Sequence, residues 1–575
     1  MQSGAGQRPQ QTNQRIMPDG HSASGYVGSE VCARCHRAIY TSYSQTDMGH
    51  SMSEVNSSFL SRIPTSASLF NQRLNRYFES HERDGKLYQS EFEVSADGRE
   101  IFRNAQRVEW ILGAGANGFG AVVRRGTYLF EGPLSFYSNI RAWALSPGYE
   151  FADYGFSRPI LPGCIVCHSG RPRPVIDGNG RFEEPAFQEL AIGCENCHGP
   201  GAGHVFAVQA SNSTDAAAAS IVNPTRLKPW LADNICLFCH QTGDARVLQP
   251  GKQYSDFRPG APVDRTLSIF MVPFNRQAPP QDDLLEHFLL IRLSKCYRSS
   301  GGQLACIRCH DPHVQRSAEG AAAYFRGKCL SCHTEENCTA AAEVRERTTP
   351  ADDCVGCHMP KRKVTVISHS VLTNHRILAR PDEPFPDAAF QMTTAGLPDL
   401  IHLSEEADEK NHRYSPLMLL QAYRQVILTH PEYRERYWAL AKQLETSDPQ
   451  NVFVLRALAD LALQRKTWDG ATTAIRYLRA ARKQGTQQPA DFELLAKLLF
   501  ATKQEFEAID VLREGIQLIP YDLELYRLLG KTYLSLRKNR EACGTARTAS
   551  QFFPEDAGIR SLLKDCAPGG SSPSR

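Results

Sequence analysis

The pentapeptide Cys-x-x-Cys-His occurs seven times in this chain, and no other feature constrains its fold as strongly. The copies are CARCH (Cys32, Cys35, His36), CIVCH (Cys164, Cys167, His168), CENCH (Cys194, Cys197, His198), CLFCH (Cys236, Cys239, His240), CIRCH (Cys306, Cys309, His310), CLSCH (Cys329, Cys332, His333) and CVGCH (Cys354, Cys357, His358). With 18 cysteines and 18 histidines in 575 residues, chance supplies about 0.02 such motifs. In each copy the two thiols can bond to the vinyl groups of one haem, and the adjacent imidazole can take the iron as its proximal ligand. Zinc is the rival chemistry. Cys-x-x-Cys knuckles bind it in pairs, so seven leaves one over, and zinc has no need of His after every second Cys. The covalent reading predicts seven haem c groups and accounts for fourteen of the 18 cysteines.

Six motifs crowd into residues 164–358, about one per 32 residues. So few residues per motif cannot build an ordinary side-chain core, so the porphyrins are expected to supply much of the buried apolar surface, wrapped by short helices and long loops. Residues from about 55 to 160 carry no motif. Asp84-Gly85 and Asp97-Gly98 punctuate strand-like runs such as KLYQSEFEV, with TYLFEG further on, which predicts a small β-rich insert. After a Pro- and acid-rich stretch the chain turns to amphipathic helices with a 34-residue spacing. Pro520 and Pro554, Leu495 and Leu529, Ala496 and Gly530, and Ala508 and Ala542 are each 34 apart. That helix-turn-helix period resembles the tetratricopeptide repeat, with an irregular helical bundle as the plain alternative. The expected organisation is a disordered leader over 1–26, a haem domain over 27–375, a linker over 376–411, repeats over 412–566 and a tail over 567–575. The expected fold class is mostly α: a multihaem array with little regular structure and a β-rich insert, followed by an α-solenoid.

Net charge is +3, from 65 basic and 62 acidic residues, which gives no argument for nucleic acid or a membrane surface. No apolar run reaches the ~20 residues of a membrane span. Haem is attached covalently outside the cytoplasm, so an export signal is expected; the first twenty residues are polar and Gln-rich, with no apolar h-region. The motifs outweigh that missing leader, and the expected location is periplasmic or extracytoplasmic. Gly113, Gly115 and Gly118 satisfy GxGxxG, but the chain continues as strand-like AVVRRGTYLF rather than a helix, so a dinucleotide site fails its context test. Four cysteines are surplus. Cys296 and Cys338 could pair in an oxidising compartment, while Cys543 and Cys566 are expected to be buried in the repeats as small hydrophobes.

A second imidazole per iron must come from elsewhere in the chain. His313, in CHDPH, lies on the wrong face to cap its own iron and would serve a neighbour; His204, in CHGPGAGH, is placed similarly. His50 follows the first motif, His287 precedes the fifth, and His369 and His375 follow the last. These six are the distal candidates. His81 in the insert, His21 in the leader, and His402, His412 and His430 beyond are expected to be structural. Six candidates for seven irons leave one capped by His81, His21 or a Met, or one open.

GCENCHGPGAGH, LACIRCHDPH, KCLSCH and DCVGCHMPKR, with the trailing His369 and His375, resemble the multihaem cytochrome c superfamily that includes the nitrifier-type tetrahaem cytochrome and hydroxylamine oxidoreductase. The resemblance covers roughly residues 26–376, and WILGAGANGFG, LFEGPLSFYS and WALSPGYE resemble the stretch such proteins carry before their second motif. A subset of that superfamily adds tetratricopeptide repeats. The resemblance implies haems stacked in parallel and perpendicular pairs that conduct electrons. The chain has no CxxCK, which speaks against nitrite reduction. The expected function is electron transfer between redox partner proteins by a heptahaem c-type cytochrome, with protein or peptide docking on the repeats. The alternative is a multihaem oxidoreductase acting on a small nitrogen or sulfur compound at one open haem. A scaffold with merely structural haems is the least economical reading of seven motifs.

Overall fold

The computed structural model describes residues 25–176, 179–210, 214–240, 243–277, 287–364, 369–390, 397–403 and 414–566. Most of the expected leader, His21, His412, much of the expected linker and the expected tail lie outside the described residues.

The largest single element is a sheet, and it overturns the mostly α expectation. Eight antiparallel strands run from Met52–Glu54 (β1) through Ala67–Asn71 (β2), Arg76–Arg83 (β3), Lys86–Val94 (β4), Glu100–Leu112 (β5), Gly118–Arg125 (β6) and Tyr128–Tyr137 (β7) to Ala142–Leu145 (β8). β2 to β8 are paired in sequence order and β1 adds to β5. β2 also meets β8, and β3 meets β7, so the sheet curls into a nearly closed barrel. The molecule is 43% helix and 19% strand, an α-and-β fold rather than a helical array with little regular structure. The physical reason lies in this segment. Alternating burial along β3 and the packed interior of β7 give the barrel a side-chain core of its own, so the sparse-core argument from motif density does not reach it. Phe78, Leu87, Phe130 and Leu134 are at most 1% exposed there, each worth about 1.5–3 kcal/mol of burial. Asp84 and Gly85, both at positive φ, make the two-residue turn that sets Arg83 opposite Lys86.

Val122 and Leu129 on the barrel wall share a core cluster with Ile165, inside the second motif, and with Phe182 and Phe187 of the hairpin Arg171–Pro174 and Phe182–Glu189. The barrel therefore forms one wall of the motif region. A three-stranded sheet follows, in which Leu267–Met271 lies between Ala245–Leu248 and Ile401–His402.

The C-terminal part is a stack of helix pairs: Pro416–Val426 with Arg434–Ser447, Val452–Leu463 with Trp468–Lys483, Pro489–Ala501 with Glu505–Leu518, and Leu523–Ser535 with Asn539–Phe552, closed by Ala557–Asp565. Small residues sit where helices touch: Ala459, Ala474, Ala496, Ala508 and Ala542 are at most 1% exposed. Cys543 and Cys566 are not lone buried hydrophobes but a disulfide, which ties the last pair to the closing helix. Cys296 and Cys338 are free thiols. The far end of the stack packs on the barrel: Arg125 donates to the carbonyls of Phe552 (3.2 Å) and Gln551 (2.6 Å), and Tyr521 sets its ring edge-on against Tyr128 and Phe130 at 5.3 and 5.4 Å.

Candidate functional site

Each Cys-x-x-Cys-His motif is folded around a short helical turn. The backbone N–H of His36, His198, His240, His310 and His333 donates to the carbonyl of the first Cys of its own motif, at 2.8–3.0 Å. That turn carries both thiols and the imidazole toward one side. All seven motifs, with every one of their cysteines and histidines, line a single cavity of about 3800 Å³. Shared among seven, that is about 540 Å³ per motif, within the ~300–1,000 Å³ of a pocket for a drug-sized ligand.

Four pairs of imidazoles face each other in the chain around it. His36 and His204 have ring centroids 6.3 Å apart, His198 and His313 6.0 Å, His310 and His375 6.0 Å, and His240 and His287 6.4 Å. A metal–nitrogen bond of about 2.0 Å and about 1.2 Å from nitrogen to ring centre put two imidazoles on opposite sides of one metal about 6.4 Å apart. No imidazole stands at this spacing from His168, His333 or His358 among the described residues. His204, His287, His313 and His375 line the cavity; His50 and His369 do not. Both are exposed, and His369 rests against Tyr137 at 5.1 Å. His81 stacks on Tyr88 across β3 and β4 at 5.7 Å.

Burial favours the neutral form of six of these imidazoles. Burial holds His287 down to about 3 and His310 down to about 4, and it lowers His168, His198, His240 and His375 as well. Carbonyl oxygens can only accept, so the Nδ1–H groups of His198, His358 and His375 donate to Val222 (2.8 Å), Leu378 (2.6 Å) and Thr373 (3.0 Å). That leaves each Nε2 lone pair free for a metal. His287 Nδ1 is buried without a hydrogen-bond partner. A tetrahedral zinc site needs four converging donors, and no group of three or more His, Cys, Asp or Glu converges in this way among the described residues. The donor set therefore fits a planar group gripped at its edge by two thiols and along its axis by one or two imidazoles.

Two buried carboxylates that sequence reasoning passed over hold the motif segments together. Glu195, 2% exposed within CENCH, accepts from the N–H groups of Val27 (3.0 Å), Gly28 (2.8 Å) and Gly201 (2.7 Å). Asp233, 3% exposed, accepts from the N–H of Cys306 at 2.8 Å. Their signal in the sequence was only an acidic residue inside one motif (Glu195) and another three residues ahead of the next (Asp233). The GxGxxG loop borders the same cavity: Gly113 and Gly115 sit at φ near 99°, and Gly118 opens β6 rather than a helix.

No protein-family model matches the chain, and no curated protein matches it. Among solved structures it is similar to MamA, at 19% identity and TM-score 0.22, over 25% of this chain and 80% of that one. It is similar to TTC0263, a thermophilic TPR protein in Thermus thermophilus, at 17% identity and TM-score 0.21, over 26% and 81%. YrrB, a TPR protein with an unusual peptide-binding site, gives 14% identity and TM-score 0.21, over 25% and 81%. The repeat in this chain stands on its own helix pairs and 34-residue spacing. No helix among the described residues is long and apolar enough to cross a membrane.

Proposed function

We propose that the chain is a heptahaem c-type cytochrome that passes electrons between partner proteins outside the cytoplasm, and that its repeats dock one of them. The observation that carries this reading is the single cavity onto which all seven motifs open, with four opposed imidazole pairs at 6.0–6.4 Å. The fourteen motif cysteines would hold the porphyrins through thioethers. His36, His168, His198, His240, His310, His333 and His358 would serve as proximal ligands, with His204, His313, His287 and His375 opposite the first, third, fourth and fifth of the series. Haem supplies one-electron chemistry through its iron. The chain's part is to exclude water, fix the imidazole tautomers through backbone carbonyls, and hold neighbouring motifs in register through Glu195 and Asp233. Stacked helix pairs of this kind form surfaces that bind proteins and peptides, and the Cys543–Cys566 disulfide suits an oxidising compartment.

Mass spectrometry of protein matured in an export-competent host is the test. Seven covalent haems are expected, and five or fewer would overturn the reading. The second reading, an oxidoreductase acting on a small nitrogen or sulfur compound, is favoured by His168, His333 and His358, which have no imidazole opposite at this spacing among the described residues. A high-spin spectrum that responds to cyanide, hydroxylamine or nitrite selects it; a wholly low-spin, unresponsive one selects the carrier.

A further inference from the structure

The two edges of the repeat stack differ in charge. The turns that join one helix pair to the next, residues 448–451, 484–488, 519–522 and 553–556, hold Asp448, Asp522, Glu555 and Asp556 and no cation. That edge is covered where it meets the barrel and the hairpin beside it. Asn179 donates to Gln487 at 3.3 Å, Tyr521 packs on Tyr128 and Phe130, and Arg125 and Arg76 donate to the carbonyls of Phe552 and Glu555. The turns inside the second, third and fourth pairs, residues 464–467, 502–504 and 536–538, lie on the opposite edge. They hold Arg465, Lys466, Lys503, Arg537 and Lys538 and no carboxylate. Each pair also places a large apolar side chain in solvent beside its turn: Trp468 is 67% exposed, Phe506 68% and Leu534 44%. Lys466, Lys503 and Arg537 take the same place in successive turns, all exposed, at φ 48°, 61° and 56°. Glycine adopts that conformation most cheaply. A long cation kept there three times points to a use for the side chain rather than for the turn.

The first pair shows what such an edge accepts, because a segment of the chain itself lies on it. Arg436, third residue of Arg434–Ser447, bonds the carboxylate of Asp399 and the carbonyls of Leu397 and Pro398. Tyr433, in the turn of that pair, donates to the Pro398 carbonyl at 2.9 Å, and Leu400 enters the core beneath. We propose that the same edge of the second, third and fourth pairs docks an extended segment of a partner protein in which carboxylates alternate with apolar side chains. This rests on the docking role given to the repeats above. The turn cations take the carboxylates, while Trp468, Phe506 and Leu534 take the apolar side chains. Lys538 stands 5.4 Å from the Phe506 ring, so both kinds of contact are offered at one place. Aromatic and cationic anchors of this sort carry protein interfaces, and opposite charge aligns the partner along the row. Asp469, Glu505 and Glu541 stand in the first turns of the helices that follow. They repel a uniformly anionic polymer or membrane, which favours a protein segment.

The test is a calorimetric titration of the full-length protein with four probes. They are a synthetic peptide of repeated Leu-Pro-Asp-Leu units, its counterpart with Lys in place of Asp, a thymidine oligonucleotide, and vesicles of an anionic phospholipid. The acidic peptide should bind, more weakly as salt rises, and the basic one should not. Trp468→Ala with Phe506→Ala should weaken binding about tenfold or more; both side chains are largely in solvent, so the fold survives their loss. Lys466→Gly with Lys503→Gly and Arg537→Gly should weaken it to a similar degree and melt no lower than the unaltered protein, because glycine suits these turns. Binding left unchanged by both variants overturns the proposal. If it is instead abolished by Lys497→Glu with Lys531→Glu, on the first helices of the third and fourth pairs, the edge is wrong and the docking role of the repeats stands. Binding of the oligonucleotide or the vesicles in place of the acidic peptide overturns the choice of a protein partner. Binding of no probe overturns this proposal and the docking role together.

Discussion

At the scale of single residues, the decisive feature is that imidazoles distant in sequence meet at a spacing suited to a metal between them. His313 faces His198 at 6.0 Å and His204 faces His36 at 6.3 Å. If haems occupy the motifs as proposed, replacing His313 or His204 with Ala should convert one of them to high spin without changing the haem count, because the thioethers would not involve these residues. Absorption spectra and intact mass check the two halves of that statement separately. That the motif cysteines and histidines would stand together was legible in the sequence, because each motif is encoded within five consecutive residues, and all seven line one cavity. The facing imidazoles were only partly legible. Chain proximity suggested His50 and His369, but the structure leaves both exposed and off the cavity, while His204, His287, His313 and His375 come in from long-range packing. Glu195 was not legible at all, since its partners Val27 and Gly28 lie more than 160 residues away. Glu195→Gln keeps the shape but weakens three hydrogen bonds to a buried charge. It should lower the melting temperature by the equivalent of about 1–3 kcal/mol, read by calorimetry.

At the scale of elements, the barrel is where sequence reading fell furthest short. Asp84-Gly85 announced its hairpin correctly, and the run KLYQSEFEV is strand β4. The extent of the sheet was hidden, because β5 runs for 13 residues with an irregular burial pattern instead of strict alternation. Gly118 shows how tightly β6 and β7 approach: a Cβ there would run into the carbonyl oxygen of Phe136. Gly118→Ala should therefore destabilise the barrel by about 1–3 kcal/mol, seen as a lower melting temperature at unchanged haem count. The repeats were more legible, since their 34-residue spacing is a local signal that recurs. Their disulfide was not, because two cysteines 23 residues apart say nothing about pairing until the helices are placed. Mild reduction should remove about 2–4 kcal/mol from the repeat end; under the proposed covalent attachment it would leave the haems in place, and haem loss on reduction would contradict that proposal.

At the scale of the whole molecule, the barrel, the motif cavity and the repeats are joined by interfaces that polar linker composition does not suggest. Leu400, in the expected linker, belongs to one core with Val247, Phe270 and the first repeat helices. The other junction, between barrel and closing helices, is electrically unusual. Arg76 binds the fully buried Glu91 at 2.6 Å and Asp153 at 2.7 Å, and donates to the backbone carbonyl of Glu555 at 3.1 Å. Burial drives Glu91 upward, and burial with the nearby charge of Asp153 pushes Glu555 up to about 7 against the pull of Arg76 and Arg125. Arg76 thus bonds two carboxylates while the Glu555 carboxyl lies nearby without a direct bond to it, and the folded junction keeps protons that the unfolded chain releases. A carboxyl whose pKa is raised by folding stabilises fully below its unfolded value and loses that contribution as pH rises through the folded one. Glu555 should therefore make stability fall from about pH 4.5 to about pH 7, by on the order of 3 kcal/mol, with Glu91 adding to the fall in the same direction. Differential scanning calorimetry across that window, with Glu555→Gln beside the unaltered protein, measures it. The variant carries no charge to bury, so its profile should be flatter between pH 5 and 8 and its melting temperature higher at the alkaline end. A profile as steep as that of the unaltered protein would assign the dependence to a group other than Glu555, with Glu91 the next raised carboxyl at the same junction.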